Sequence, residues 1–347
     1  MTHPHYVRPD VQAFVDFLAA QPGPRTYELD PPAARQLMKM MTVLAELPTG
    51  DIAVRRDIAI PGPAGDIPAR LYDARDSREP GPAMVFYHGG GFVLGDLDTH
   101  EPVCAEIART LDMPVISVDY RLAPEAPWPA APDDCEAAAR WVATSPEALG
   151  RKVTSLVLAG DSAGGNLCVI TTLALRDEPA QVPVAAQWPI YPAVDGRGEY
   201  GSGADFGEGF LLDARSMKWF VDHYGGDQES WRLNPLFADH AGTPPTLVFT
   251  AGLDPLRDQG RAYAAELIRA GVPTIYREAA GNIHGLINLR KIIPSSQGDV
   301  AGCLAALKAM VVEAEANRVM AQAAGATSGI SAAAQDAGIA TDAVELA

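Results

Sequence analysis

Six short apolar runs recur along the chain with helical stretches between them: AMVFYH, VISVDY, SLVLAGD, AAQWPIY, TLVFTAG and TIYREA. The helical patterns lie near residues 99–111, 132–147, 163–176 and 257–270. Strands that are apolar throughout, rather than alternating, are covered on both faces. Strand and helix in alternation then give a mostly parallel sheet with helices packed on each side. Ahead of these runs, residues 51–73 alternate like two antiparallel strands, IAVRRDIAI and IPARLYD, turned by PGPAG. The expectation is an α/β protein with a mostly parallel eight-stranded sheet and helices on both faces.

The remaining segments are organised differently. Residues 1–50 read as two helices: DVQAFVDFLAA, with Asp10 as its N-cap, and PPAARQLMKMMTVLAEL, with prolines in its first turn. Met38, Met40 and Met41 in the second either fill core or line a pocket. Residues 195–230 break the strand–helix rhythm: DGRGEYGSGADFGEGF reads as a loop, and DARSMKWFVDHYGG as a helix ended by glycines. An insertion between sheet strands is where lids arise. From residue 315 the chain is rich in Ala, Gly, Ser and Thr, and reads as a helix followed by a loose tail. The expected division is an N-terminal helical cap segment (1–50), a main α/β body (51–194 and 231–314), a cap insertion (195–230) and an Ala-rich tail (315–347).

Hydrophobic residues make up 48% of the chain and charged residues 20%, as in folded globular domains. A net charge of −17 repels phosphate backbones, so no nucleic-acid partner is expected. No CxxC pair occurs among Cys104, Cys135, Cys168 and Cys303, which gives no support for zinc or a redox dithiol. Their apolar, helix-like surroundings suggest buried, reduced thiols. No signal sequence or membrane span is evident, and the cytoplasm is the expected location.

Gly160-Asp161-Ser162-Ala163-Gly164 fits G-x-S-x-G, with the apolar run SLVLA before it and a helical pattern after it. A serine on such a strand-to-helix turn holds its hydroxyl exposed on a strained backbone, with small neighbours because other backbones pass close by. Upstream, His88-Gly89-Gly90-Gly91-Phe92 follows the run AMVFY. Consecutive glycines let amide N–H groups converge, as an acyl transfer requires for its developing oxyanion. Gly90, Gly91 and the amide of Ala163 are the candidate donors. His88 is expected to scaffold the glycine turn and Asp161 to fix a loop by accepting a hydrogen bond. The alternative for the serine motif is a Gly-rich βα turn without chemistry; for the glycine run it is a flexible loop or a phosphate cradle, the latter opposed by the acidic balance and the absence of a following Lys-Ser/Thr.

A serine nucleophile needs a base. Of seven histidines, His3 and His5 are terminal, and His100, His223 and His240 follow no strand end. His284 follows TIYREA and the loop AGN. The carboxylate orienting it is expected at another strand end: Asp254, after TLVFTAG, with Asp258 as a rival inside the next helix. The order Ser162, Asp254, His284 is that of the α/β-hydrolase fold.

HGGGF, YRLAPE (120–125), GDSAGGN (160–166), DPLRD (254–258) and IHG (283–285) together resemble the hormone-sensitive-lipase family of bacterial esterases. The resemblance runs from about residue 50 to 312. It implies an α/β-hydrolase core with a helical cap, small carboxylic esters of short to medium acyl chain as substrates, and no cofactor or metal. By motif, Ser162, Asp254 and His284 match the triad of that family, and Gly90, Gly91 and Ala163 its oxyanion donors. Its members are often dimers through a sheet-edge strand, which leaves a homodimer open. Within YRLAPE, Arg121 and Glu125 are expected to pair with each other beneath the oxyanion turn. Amide, carbamate or lactone cleavage stays open, as do a receptor role and an interaction protein with a retired site; the presence of His284 speaks against the receptor.

Overall fold

The computed structural model describes residues 5–21 and 23–336. In chain order it contains α1 (Pro9–Ala20), α2 (Pro31–Ala45), β1 (Val54–Gly62), β2 (Gly65–Asp73), β3 (Gly81–Tyr87), α3 (Glu101–Leu111), β4 (Val115–Val118), α4 (Ala130–Ala143), β5 (Val153–Asp161), α5 (Ala163–Asp177), β6 (Val184–Ile190), α6 (Gly201–Phe206), α7 (Ala214–Tyr224), β7 (Thr246–Leu253), α8 (Arg257–Arg269), β8 (Thr274–Ile283) and α9 (Ser296–Asp336). The strands form one sheet in the order β1-β2-β4-β3-β5-β6-β7-β8. The β1–β2 and β2–β4 pairs are antiparallel, and every later pair is parallel.

Strands β3 to β7 are buried on both faces, whereas β8, expected to be an apolar run of the same kind, lies at the sheet edge with Ile275 and Tyr276 exposed. In β3, Ala83, Val85 and Tyr87 join the core beneath α4 and α5, while Met84 and Phe86 join the core beneath α3 and α9. Successive strand side chains point to opposite faces, so one short run serves two cores. Each fully buried Val, Leu, Ile, Met or Phe of this kind contributes roughly 1.5–3 kcal/mol. All four cysteines are buried free thiols, and no helix among the described residues is long and apolar enough to cross a membrane.

Several local expectations shift. Asp10 lies in the first turn of α1 rather than capping it: Pro9 occupies the first helical position, where a missing N–H costs nothing. The Asp10 carboxylate instead accepts from the Ser295 amide at 2.8 Å. Asp30 caps α2 by accepting from the Ala33 amide at 2.9 Å. The Gly-rich stretch before α7 holds the short helix α6, seated by its buried Phe206. The residues AGN read as a loop are the end of β8, which stays paired to β7 through an irregularity near Gly252. α9 runs on past residue 315, so the boundary expected there falls inside a helix. Glu315 is fastened by the Ser155 hydroxyl at 2.5 Å and by Arg318 at 2.8 Å. Residues 337–347 of the expected tail lie outside the described residues.

The N-terminal helices and the 195–230 insertion meet. Val11 and Phe14 of α1, Ala45 of α2, Phe206 and Phe210 share one apolar cluster with Leu253 and Ile283, the last residues of β7 and β8. Glu46, after α2, is buried against Arg290 beyond β8, with the Arg290 Nε 2.7 Å and its amide 3.0 Å from the Glu46 carboxylate. Both segments thus sit over the C-terminal ends of the parallel strands, the edge at which open α/β sheets bind ligands.

Candidate active site

Strand register gathers the candidate residues. Tyr87, the last residue of β3, pairs with Gly160 near the end of β5, and Leu253 of β7 pairs with Ile283 of β8. His88, Ser162, Asp254 and His284 each follow such a strand end.

Ser162 joins β5 to α5 with φ 58° and ψ −117°. That conformation costs a non-glycine residue on the order of 1–3 kcal/mol. It is held by the Ser162 N–H donating to the Ile190 carbonyl at 2.8 Å, and by the Asn166 and Ala193 amides donating to the Ser162 carbonyl at 3.1 and 3.3 Å. The flanking glycines are steric necessities: a Cβ on Gly164 would lie 1.9 Å from the Tyr87 carbonyl oxygen, and one on Gly160 2.2 Å from the Gly164 carbonyl oxygen. Ser162 itself remains partly exposed.

The His284 Nε2 lies 2.9 Å from the Ser162 Oγ, and its Nδ1 lies 2.7 Å from the Asp254 Oδ2. The buried Asp254 uses its other oxygen to accept the Leu256 amide at 2.8 Å. An ionised carboxylate can only accept, so Nδ1 carries the ring hydrogen and Nε2 is left to take the serine proton. The rival Asp258 accepts the Ser202 amide at 2.9 Å and pairs with Arg257 and Arg261. His5, His223 and His240 contact Asp205, the Trp219 carbonyl and the Leu236 carbonyl respectively, and His3 lies outside the described residues.

The glycine turn is anchored to the serine turn. The Gly89 N–H donates to the Asp161 Oδ1 at 2.7 Å, and a Cβ on Gly89 would strike the same carboxylate. Gly90 adopts φ 122° and Gly91 φ 61°. The Gly90 carbonyl accepts the Val93 and Leu94 amides at 3.1 and 2.8 Å, which rounds the turn. The amides of Gly90, Gly91 and Ala163 have no acceptor among the described residues. His88 lies beneath this turn, with its Nδ1 2.8 Å from the Gly89 carbonyl, its ring stacked on Tyr120 at 4.3 Å, and its own carbonyl accepting the Tyr120 hydroxyl at 2.6 Å.

Burial, and after it the neighbouring His100, lowers the His88 pKa to about 4. Burial, reinforced by Asp96, pushes the nearby Asp119 carboxyl up to about 6. Because that value lies above the unfolded one near 3.9, the folded chain holds an extra proton between about pH 4 and 6. Stability therefore declines as pH rises through that window. Asp119→Asn is expected to flatten the decline and to be the more stable protein above pH 6, by on the order of 1 kcal/mol. Urea unfolding of both proteins from about pH 4 to 7 checks this, and a pH-independent difference between them contradicts it.

The expected Arg121–Glu125 pair does not form. Arg121 grips Asp134 of α4 with its Nε and Nη2, both at 2.8 Å, and Glu125 takes both its contacts, at 2.7 Å, from Arg35 of α2. Arg35 also donates to the Val93 and Ala123 carbonyls at 2.8 and 2.9 Å, so the N-terminal segment holds the glycine turn directly. From the insertion, Phe220 presses on Gly91, where a Cβ would lie 2.3 Å from its ring, and Tyr224 stacks on Phe92 at 3.9 Å. Arg35, Phe220 and Tyr224 carry no local sequence signal of these contacts.

The alpha/beta hydrolase fold family matches the chain over residues 84–288. The carboxylic ester hydrolase LipN of Mycobacterium tuberculosis is 41% identical over 263 residues, covering 73% of this chain and 69% of that protein. The ethyl acetate hydrolase of Pseudomonas putida is 36% identical over 248 residues, covering 70% of this chain and 78% of that protein. Among solved structures, the hyperthermophilic esterase of the archaeon Pyrobaculum calidifontis superposes with a TM-score of 0.81 at 38% identity, covering 88% of this chain and 99% of that one. Motifs, sheet order and these relatives agree, and the chain belongs to the alpha/beta hydrolase fold family, in the hormone-sensitive-lipase-like group that its motifs resemble.

Proposed function

We propose that the chain is a serine carboxylesterase that cleaves short- to medium-chain carboxylic esters through an acyl-enzyme. The observation that carries this reading is the continuous Ser162–His284–Asp254 chain of contacts, at 2.9 and 2.7 Å, beside unpaired amides. Ser162 attacks the ester carbonyl while Nε2 of His284 accepts its proton. Asp254 holds the ring tautomer and stabilises the imidazolium. The amides of Gly90, Gly91 and Ala163 receive the oxyanion, each worth about 3–4 kcal/mol in comparable enzymes. The imidazolium then protonates the departing alcohol, and water, activated by the same ring, releases the acid.

Esterase names among the relatives support ester cleavage, and the relative named for ethyl acetate supports small acyl groups. Residues 1–50 and 195–230 act as a cap over the site, which their shared apolar cluster at the ends of β7 and β8 supports. Phe220 then forms a wall of the acyl site, because it covers Gly91. A p-nitrophenyl ester series from acetate to decanoate tests this, with a maximum expected at short to medium chains. Phe220→Ala is expected to raise the octanoate-to-acetate ratio of kcat/KM by about tenfold, the scale of one or two methylenes in an apolar pocket. An unchanged ratio removes Phe220 from that wall.

A further inference from the structure

We infer that His100 is a positioning residue for the oxyanion turn, acting through Asp161 on the Gly89 amide. The inference rests on the reading of residues 88–91 as that turn. His100 is fully buried, and its ring lies against those of His88 and Phe86, with centroids 5.5 and 6.1 Å away. Its Nε2 is 3.1 Å from the Asp161 Oδ1, the oxygen that accepts the Gly89 N–H at 2.7 Å. One buried carboxylate oxygen thus ties the ring to the first amide of the glycine turn, directly beside Ser162.

The protons can be counted. His100 Nδ1 lies 3.0 Å from the Thr99 Oγ1, which accepts the Asp96 amide at 2.9 Å and lies 2.9 Å from the Asp96 carbonyl. A hydroxyl has one hydrogen to give. If Thr99 gives it to the Asp96 carbonyl, Nδ1 must carry a hydrogen, and a bare Nε2 would then set a lone pair against the carboxylate. If Thr99 gives it to Nδ1, the ring hydrogen is left on Nε2. In both cases an N–H faces Asp161. The two atoms lie 3.1 Å apart without a regular hydrogen bond, so the attraction of the ring N–H to the carboxylate is mainly electrostatic, and burial strengthens it. Burial alone would raise the Asp161 pKa; the neighbouring His100 ring, with the Gly89 amide, outweighs it and holds the carboxyl below its ordinary range.

Remove the ring, and Asp161 keeps the Gly89 amide and a distant Tyr191 hydroxyl at 3.4 Å. A buried carboxylate so poorly compensated relocates or takes up a proton, and the glycine turn loses its charged acceptor. Misplacement by about 1 Å in a reacting geometry costs on the order of 10²-fold.

The test compares His100→Leu with His100→Gln, which keeps a neutral N–H donor. Ser162→Ala is assayed alongside. His100→Leu is expected to lower kcat for p-nitrophenyl butyrate by roughly 10–10²-fold with KM within about threefold. Inhibition by a short-chain trifluoromethyl ketone, which adds to serine and leaves an oxyanion, should weaken by the same factor. Inhibition by butyrate, the carboxylate product, should not change. His100→Gln should recover much of the loss. Parent-like kcat and ketone inhibition in His100→Leu, whatever its melting temperature, overturn the inference, as does His100→Gln matching His100→Leu. Full activity in Ser162→Ala would instead sink the underlying reading of the site.

Discussion

Ser162→Ala is expected to lower kcat for a short acyl ester by about 10⁴-fold or more. The size follows from the geometry. In the proposed mechanism His284 and Asp254 act together to take one proton from the Ser162 hydroxyl, so removing the hydroxyl idles all three side chains. The amides of Gly90, Gly91 and Ala163 would still bind a carbonyl oxygen, which sets the residual rate. The fold should be retained, because Ser162 holds its backbone through main-chain bonds, and among the described residues its hydroxyl is hydrogen-bonded to His284. Relief of its side chain does not relieve its φ of 58°, which alanine must adopt as well. Kinetics with p-nitrophenyl butyrate decide it; activity within about tenfold of the parent rejects Ser162 as nucleophile.

Gly164→Ala is expected to destabilise the protein by about 3 kcal/mol or more and to abolish the activity that remains. The added Cβ would fall 1.9 Å from the Tyr87 carbonyl oxygen, with the His88 carbonyl oxygen 2.7 Å away. Both neighbours are backbone, so no side chain can swing aside. β3 and α5 must separate by more than 1 Å to reach ordinary contact distance, and the turns at residues 88–91 and 160–164 then part as well. A pairing of that sort is lost from stability and catalysis together. Denaturant midpoints and ester turnover measure both; a stable, active Gly164→Ala protein would mean that the two turns do not pack as described.

What the sequence disclosed and what it hid divide along a physical line. The sheet is legible because parallel strands buried on both faces are mostly apolar, as β3 to β7 are apart from a few residues such as Ser155 and Gln187. The serine turn was legible because close backbone approach demands glycine at 160 and 164, and a glycine pattern survives in one dimension. Asp254 and His284 were legible from their place after strand ends. Hidden were contacts made by ordinary residues across long separations. Arg35 takes Glu125 at 2.7 Å and the Val93 carbonyl at 2.8 Å, which removed Glu125 from its expected partner Arg121. Phe220 reaches Gly91 from a helix whose amphipathic pattern is compatible with any neighbour. No strand end precedes His100 in the sequence, yet the chain from Gly91 folds its ring back against Asp161. In the sequence α6 and the end of β8 read as loops because their glycines outweigh the local pattern, whereas Phe206 and the pairing to β7 decide their structure.

The measurement that bears most directly on the central claim is covalent trapping of the nucleophile. The protein is incubated with a fluorophosphonate and digested, and the modified peptide is sequenced by mass spectrometry. A single adduct on Ser162, formed as ester turnover is lost and absent from Ser162→Ala, is the expected result. No adduct, or complete inactivation with Ser162 unmodified, would contradict the assignment.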